Sequence, residues 1–237
     1  RSLGVIIDKL TSSFHDVSDF CTNKELSLNT SKTQFIVIKS AGKRILDEPV
    51  ITVGSVVIPA LKSVKLLGVT IDRHLTFADH IRTTVQKCHG ILGALRCAAP
   101  SLPKELLRLA YIALVRSHLE YCSGVLVSMA MTHSGRLEVV QKIAARIICN
   151  APRNAHSAPL LEELHLEPLL DRRIKHVCDI VSRCLDSRCH PALLDYFSCG
   201  DDGSVSLSGM PATNNGKKRF QYTAAQLYNE QKLLNTH

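Results

Sequence analysis

Residues 63–96 read SVKLLGVTIDRHLTFADHIRTTVQKCHGILGALR, and the periodicity of the apolar residues changes within this stretch. Residues 63–71 are short and rich in β-branched side chains, which favours a strand. From Asp79 onward the apolar residues recur at steps of four and three, which marks one buried face of a helix. They are Ile81, Val85, Cys88, Leu92 and Leu95. The chain therefore changes here from a strand-rich part to a helical part.

The strand-rich part lies before this change. Further short runs of β-branched residues occupy residues 33–38, 50–53 and 56–58, and Gly54 with Ser55 lies between two of them as a predicted hairpin turn. Residues 3–21 carry apolar side chains at helical spacings. We therefore predict a small antiparallel sheet accompanied by one helix.

Helical patterns fill most of the chain after residue 98. The next helix is predicted to begin near Pro103, a favoured first-turn residue. It runs through the apolar residues Leu106, Leu109, Ala110, Ala113 and Leu114. Two more helices are predicted over residues 136–149 and 168–186, with a break at residues 150–154. The fold class is therefore α+β, with a mostly α-helical C-terminal part.

The last forty residues have a different composition. Residues 198–218 are dense in Gly, Ser, Asn and Asp, which predicts a flexible linker. The following run FQYTAAQLYNE, residues 220–230, is long enough for one short helix.

Composition is that of a folded protein, since hydrophobic residues make up 45% and charged residues 21% of the 237 residues. Nine scattered cysteines, an odd number, favour a reducing intracellular compartment, nuclear or cytoplasmic.

The longest apolar stretch is interrupted by Arg116, His118 and Glu120, so we expect no membrane-spanning segment. Because the first residue is Arg1 rather than Met, we expect the chain to be a fragment or a processed product.

The positive charge is concentrated in the helical part. The formal net charge is +8, and residues 81–150 carry nine basic against three acidic side chains, a net of +6. A polyanion such as nucleic acid would be bound there, because neutralising phosphates releases counterions. Aromatic residues are only 5%, few for a protein that stacks single-stranded bases, so binding would use duplex phosphates.

Two segments carry a family resemblance. LSLNTSKTQFIVI, residues 26–38, and VKLLGVTIDRHLTFADHI, residues 64–81, resemble motifs D and E of the reverse transcriptases of non-LTR (LINE-type) retrotransposons. The resemblance continues in family order through LGALR, LEYCSGV, LEVVQKIAARII, PLLEELHLEPLLDRRIKH and RFQYTAAQLYNE. It therefore covers nearly the whole chain.

The resemblance implies a domain order. Residues 1–78 correspond to the C-terminal part of the polymerase palm, 79–150 to a helical thumb, 151–197 to a C-terminal helical region and 198–237 to the linker and terminal helix. It also implies that Lys32, in motif D, lies near the phosphates of the incoming nucleotide. Motif E is the hairpin called the primer grip, in which Leu66, Leu67, Gly68 and Val69 shape the turn that supports the primer backbone.

Lysine and arginine residues recur along the predicted thumb helices. Lys104, Arg108 and Arg116 are separated by multiples of four, and Lys142 with Arg146 repeats this spacing. The resemblance implies that they grip an RNA/DNA template–primer duplex through phosphates. The alternative is a solvated face on which Glu138 pairs with Lys142. On an exposed face, replacing Arg108 and Arg146 by Glu would leave stability nearly unchanged.

Polymerase chemistry needs carboxylates that hold two divalent metals about 4 Å apart. The resemblance implies that these carboxylates, the ligands of Mg²⁺ in the full-length enzyme, precede this chain. We therefore predict no catalytic residue, no cofactor and no metal here. Asp201 and Asp202 are flanked by Gly200 and Gly203, which is typical of a loop.

A zinc site is also not expected. The candidate ligands have spacings that miss the tight pairs of a structural zinc site, and core packing accounts better for the cysteines. They are Cys178, Cys184, Cys189, His190 and Cys199.

Three interpretations of function stay open. The first is a fragment of an RNA-directed DNA polymerase that lacks the catalytic aspartates and is inactive alone. The second is a non-catalytic nucleic-acid-binding module retained by a host. The third is a helical protein-interaction domain.

Overall fold

A computed structural model of the chain describes residues 3–29, 31–40, 42–43, 48–53, 56–194, 196–200, 204–207 and 220–235. The chain divides into two compact units, Arg1–Leu75 and Thr76–His237. The first unit is strand-rich and the second is mostly helical. The predicted α+β class with a helical C-terminal part is therefore confirmed.

The first unit consists of helix α1 and two small groups of strands. Its elements are α1 (Leu3–Asn23), β1 (Phe35–Ile36), β2 (Val50–Val53), β3 (Val56–Leu61), β4 (Ser63–Leu66) and β5 (Val69–Asp72). Strands β2 and β3 pair antiparallel, whereas β1 pairs parallel with β3. The sheet is therefore mixed rather than purely antiparallel, because β1 and β3 are not consecutive and no hairpin sets their direction. The predicted Gly54–Ser55 turn lies outside the described residues.

Strands β4 and β5 form a hairpin of their own. The β-branched pattern alone suggested a single strand over residues 63–71, whereas the family resemblance implied a hairpin with its turn at residues 66–69. The chain reverses at Leu67 and Gly68. Both residues have positive φ, 47° and 85°, as the central residues of a type I′ turn do. Glycine adopts this conformation freely, whereas Leu67 is strained in it.

The second unit contains eight α-helices and one hairpin within the described residues. They are α2 (Ala78–Ala98), α3 (Lys104–Tyr111), α4 (Ser117–Leu119), α5 (Met131–Ile148), α6 (Ser157–Glu163), α7 (Leu169–Leu185), α8 (Pro191–Leu194), β6 (Phe197–Cys199), β7 (Val205–Leu207) and α9 (Phe220–Asn235). A π-helical segment, Ile112–Arg116, joins α3 to α4.

Local side-chain contacts set the ends of the main helices. The Thr76 hydroxyl accepts a hydrogen bond from the Ala78 N–H at the start of α2 (3.3 Å). Helix α7 begins after Pro168, and Glu138 of α5 accepts a hydrogen bond from the Leu169 N–H (3.0 Å). Asn150, with φ of 48°, follows α5 in the left-handed conformation that often ends a helix.

Helix α2 packs against α5 through the face that the sequence predicted. Ile81, Cys88, Leu92 and Leu95 are all buried, and Val85 is half-buried. The period of 3.6 residues therefore identified the core side of this helix correctly.

Helix α3 buries a different face from the one indicated by the sequence. The buried residues are Leu107, Tyr111, Val115 and Leu119, which continue through the π-helical segment. Leu106, Leu109 and Leu114 are exposed instead. Both sides of this helix are apolar, so periodicity alone could not select the buried one.

A C-terminal core joins α7, α9 and the β6–β7 hairpin. Its buried residues are Val177, Val181, Cys184, Phe197, Val205, Ala224 and Ala225. The hairpin lies in the segment expected to be a linker, and its edge is held by α9. The Asn229 amide accepts from the Val205 N–H (2.8 Å) and donates to the Val205 carbonyl (2.9 Å).

Candidate nucleic-acid interface

Two of the five predicted phosphate-binding residues hold the end of α6. Lys104 forms an ion pair with Glu163, which holds the pKa of the Glu163 carboxyl below its usual value. Arg108 is half-buried, and its Nε donates a hydrogen bond to the Leu164 carbonyl (2.7 Å). The last carbonyls of a helix lack partners within the helix, so both residues stabilise the C-terminal end of α6.

A third predicted residue, Arg116, faces Glu120 at 4.0 Å and its side chain is only 17% exposed. Glu120 also receives both ends of the Arg172 guanidinium, whose Nη2 lies 3.2 Å from Oε2. Arg116 and Arg172 thus share one carboxylate inside the unit. Arg116 does not project freely to solvent.

The remaining predicted pair lies on α5. Arg146 is half-buried, and it donates to the carbonyls of Ala155 (2.9 Å) and Lys142 (3.3 Å). Lys142 makes no ion pair with another described residue. The expected pair between Glu138 and Lys142 is not formed in the described part, because Glu138 is turned to the start of α7.

The five residues therefore do not form one exposed basic face. Arg108 and Arg146 hold backbone carbonyls from half-buried positions. We expected that replacing them would leave stability unchanged, because we took their side chains to be exposed. Since they are half-buried and hydrogen-bonded, replacing them should lower stability.

Replacing Arg108 by Met is expected to lower the free energy of unfolding by about 1 to 2 kcal/mol, because a charge-assisted hydrogen bond to a helix end is lost. Urea denaturation followed by circular dichroism measures this change. Arg136→Met, at an exposed position of α5, serves as the control and should stay within about 0.5 kcal/mol of the parent. Equal stability of the two variants would contradict the role given to Arg108.

A groove of about 520 Å³ is formed by α2, α5 and the segments that follow them. Its lining contains four basic side chains and no acidic one. The lining residues are His89, Arg96, Ala99, Pro100, Ile143, Arg146, Ile147, Asn150, Ala151 and Arg153. Three of these side chains are arginines, so the groove brings positive charge together in one concave surface.

The basic residues of this groove differ in whether their side chains already have partners within the protein. Arg146 is committed to backbone carbonyls, whereas His89, Arg96 and Arg153 are exposed and have no hydrogen bond or ion pair with any described residue. His89 and Arg96 are seven residues apart on α2, which places them on the same side two turns apart. The free side chains are therefore available to an external anion.

Helix dipoles offer a different explanation of two of these charges. Arg96 and Arg146 lie in the last turns of α2 and α5, where a cation offsets the partial negative charge of the helix end. Each helix end carries about half a negative charge. The groove contains three arginines, whereas only two helix ends carry a partial negative charge there. Arg153 follows α5 and belongs to no helix. The groove therefore keeps a positive excess.

No pattern in the sequence indicated this groove. Arg96 and Arg146 were counted in the charge excess of residues 81–150, but Arg153 lies in the predicted break and His89 was not considered. The groove exists because α2 packs on α5, and no spacing along one helix indicates that packing.

The predicted primer-grip residues form the tip of the β4–β5 hairpin. Leu66 pairs with Val69, which is buried, while Leu66 and Leu67 are exposed. The predicted nucleotide-proximal residue, Lys32, is exposed in a turn where its N–H donates to the Asn29 side chain (3.1 Å). Its side chain has no partner among the described residues.

The described residues contain no group of three His, Cys, Asp or Glu side chains that could hold a metal ion. The candidate zinc ligands among the described residues do not form such a group of three. All nine cysteines are free thiols. Asp201 and Asp202 lie outside the described residues.

Among the described helices, none is both long and apolar enough to cross a bilayer.

Comparison with known proteins gives one informative similarity. Over 115 residues the chain is 25% identical to a probable RNA-directed DNA polymerase from the transposon BS of Drosophila melanogaster. The match covers 47% of this chain and 13% of that relative, so the chain corresponds to a small part of the relative's length. No protein-family model matches the chain, and no solved structure matches it. The similarity supports a relationship to a reverse transcriptase.

Proposed function

We propose that this chain, similar over part of its length to a transposon RNA-directed DNA polymerase, is a segment of a non-LTR retrotransposon reverse transcriptase. In this proposal residues 1–78 are the end of the palm, 79–150 the thumb and 151–197 a C-terminal helical region. The helical unit binds the template–primer duplex through its phosphates. The enzyme acts inside the cell, in the nucleus or the cytoplasm.

The observation that carries the binding proposal is the groove between α2 and α5. Its free basic side chains are His89, Arg96 and Arg153, and no acidic side chain lines it. Such a surface suits phosphates, which are contacted irrespective of base sequence. Lys104, Arg108, Arg116 and Arg146 have mainly structural roles in this proposal, since each is engaged within the unit.

The strand-rich unit has its own part in the proposal. The exposed tip of the β4–β5 hairpin, Leu66 and Leu67, supports the primer backbone. Lys32 lies near the phosphates of the incoming nucleotide, where a cation neutralises developing charge. Its exposed, unpaired side chain is compatible with that role.

Magnesium belongs to the proposal only for a longer enzyme. The described residues of this chain offer no set of three metal-binding side chains, so they do not fit a two-metal polymerase site. We derive no catalytic step from them.

We predict that the purified chain does not extend a primed RNA template in the presence of Mg²⁺ or Mn²⁺. Incorporation of labelled nucleotide measures this directly. Extension that a chelator abolishes would show that the chain carries a metal site of its own, and the proposal of a non-catalytic segment would then be wrong.

The duplex proposal predicts a defined salt dependence. Two phosphate contacts, made by the free arginines Arg96 and Arg153, give a slope of log affinity against log salt of about −1.8 on B-DNA. Fluorescence anisotropy with labelled duplexes of two unrelated sequences, between about 50 and 200 mM salt, measures this slope. The two sequences should give the same affinity. A slope near zero would contradict phosphate binding.

One observation favours a helical protein-interaction domain as the second candidate function. Helix α3 and the π-helical segment after it expose Leu106, Leu109 and Leu114, each about half exposed. Exposed apolar patches mark protein contacts in many proteins. Duplex binding separates the candidates, because an interaction domain has no reason to bind duplex with a salt-dependent affinity.

A further inference from the structure

Helix α7 contains an arginine in its buried row. The buried residues of this helix are Leu169, Arg173, Val177, Val181 and Cys184, which follow one another at steps of four and three. Arg173 is only 4% exposed. Arginine is almost never fully buried unless it is paired, so its partners decide what it does.

The Arg173 guanidinium has few hydrogen-bond partners and no ion-pair partner among the described residues. Its Nη1 donates to the Ser134 hydroxyl (3.2 Å), and its Nε has no hydrogen-bond partner. No carboxylate of a described residue forms an ion pair with it. A guanidinium has five N–H donors, so most of its capacity is unused in the described structure.

The two nearest carboxylates are already engaged. Glu138 accepts from the Leu169 N–H, and Glu120 holds Arg172 through both oxygens. Both act on Arg173 only at longer range, and burial lowers the pKa of Arg173. No carboxylate among the described residues contacts Arg173 directly, so these residues offset its positive charge only in part.

Arg173 lines a pocket of about 540 Å³, a volume within the range of small-molecule sites. The other lining residues are Glu120, Tyr121, Cys122, Ser123, Gly124, Val125, Arg172, His176 and Ile180. Glu120 and Arg172 neutralise each other, which leaves Arg173 and His176 as the groups that face an incoming anion. Tyr121 and Val125, both exposed, provide an apolar rim.

We propose that this pocket is a binding site for a phosphate monoester, held by the Arg173 guanidinium with His176 at the rim. Arginine matches phosphate through two parallel hydrogen bonds, and a ring N–H of His176 can donate a further one. The volume and the apolar rim leave room for a group attached to the phosphate. The source is either a free nucleotide or the 5′ phosphate of a nucleic-acid strand. The site shares no residue with the basic groove and does not depend on the duplex proposal.

The test uses the full chain and inorganic phosphate as the first probe, at constant ionic strength with chloride as the reference. Phosphate at ten times its dissociation constant is expected to raise the unfolding midpoint by about 3 to 6 °C. Arg173→Leu should abolish this shift. Arg173→Lys, which keeps the charge but loses the two-pronged geometry, should weaken binding about tenfold by calorimetry. Arg183→Leu, at an exposed position of α7 outside the pocket, should bind like the parent.

Two features keep the test decisive. Phosphate also stabilises proteins by exclusion from their surface, so binding is judged from the difference between variants. If Arg173→Leu does not fold, His176→Ala at the exposed rim should still weaken binding about threefold. Equal phosphate affinity in the parent, Arg173→Lys and His176→Ala overturns the proposal. No phosphate binding by the parent, or acetate binding as tightly as phosphate, also overturns it.

Further arms identify the source of the phosphate. A nucleoside monophosphate that binds at least tenfold more tightly than inorganic phosphate supports a free nucleotide. A 5′-phosphorylated oligonucleotide that binds more tightly than its 5′-hydroxyl counterpart, with the difference lost in Arg173→Lys, supports a strand end.

Discussion

Reversing the charge of Arg96 and Arg153 together, as Arg96→Glu with Arg153→Glu, is expected to lower duplex affinity about 60-fold or more at 0.1 M salt. Each phosphate contact that is lost removes about 0.9 from the magnitude of the salt slope, so the slope should change from about −1.8 to near zero. Both side chains are exposed and have no ion pair with another described residue, so stability should change little. Anisotropy titrations at several salt concentrations, together with thermal unfolding, measure both effects.

The matched control is Lys87→Glu. Lys87 is exposed on α2, nine residues before Arg96, which places it on the opposite side of the helix. It changes the net charge without touching the groove, so it should leave the salt slope unchanged. If Lys87→Glu lowers the logarithm of duplex affinity by half as much as the double variant does, each charge reversal has the same effect wherever it lies. Duplex binding would then respond to net charge alone, and the groove would not be the site.

Replacing Gln141 by Leu is expected to lower the free energy of unfolding of the helical unit by about 3 kcal/mol. Gln141 is fully buried on α5. It accepts a hydrogen bond from the Tyr111 hydroxyl (2.6 Å) and donates one to the Glu167 carbonyl (2.9 Å). The substitution leaves a buried hydroxyl and a carbonyl without partners, at about 1 to 3 kcal/mol each.

A double-mutant cycle isolates the contribution of the bond between Tyr111 and Gln141. Tyr111→Phe removes the other partner, so the double variant no longer buries an unpaired hydroxyl. It should therefore cost about 1 kcal/mol less than the sum of the two single variants. Urea denaturation of the four proteins measures the difference. Strict additivity would mean that the bond contributes nothing to stability.

Much of the helical architecture could be predicted from the sequence. The step of four and three through Ile81, Cys88, Leu92 and Leu95 indicated both the helix and its buried side, since the opposite side of α2 is polar. The same reasoning failed to select the buried side of α3, because leucines lie on two opposite sides of it. Periodicity indicates a helix more reliably than it indicates the neighbour of that helix.

The roles of the charged residues could not be predicted in the same way. The spacing of Lys104 and Arg108 is the same whether they face solvent or hold the end of α6, so only the packed structure distinguishes the two. Arg153 and Arg96 line the same groove because α2 packs on α5. Arg173 was missed because the same helical spacing is met by the apolar residues Leu170 and Ile174, which lie one position further along the chain than the buried Leu169 and Arg173.

The C-terminal hairpin was missed for a different reason. Strands β6 and β7 are three residues each and lie in a stretch rich in Gly and Ser, so no alternation is long enough to be recognised. Their pairing is stabilised from outside by α9, which the sequence places after a long linker.

The contact of Asn229 with Val205 also affects how the protein behaves at high concentration. A free strand edge is a template on which another chain can add a strand, and this is a common start of aggregation. At Val205 the side-chain amide of Asn229 occupies both backbone groups that such a chain would use. Asn229 of α9 thus blocks this point of the β7 edge against the addition of a strand from another chain.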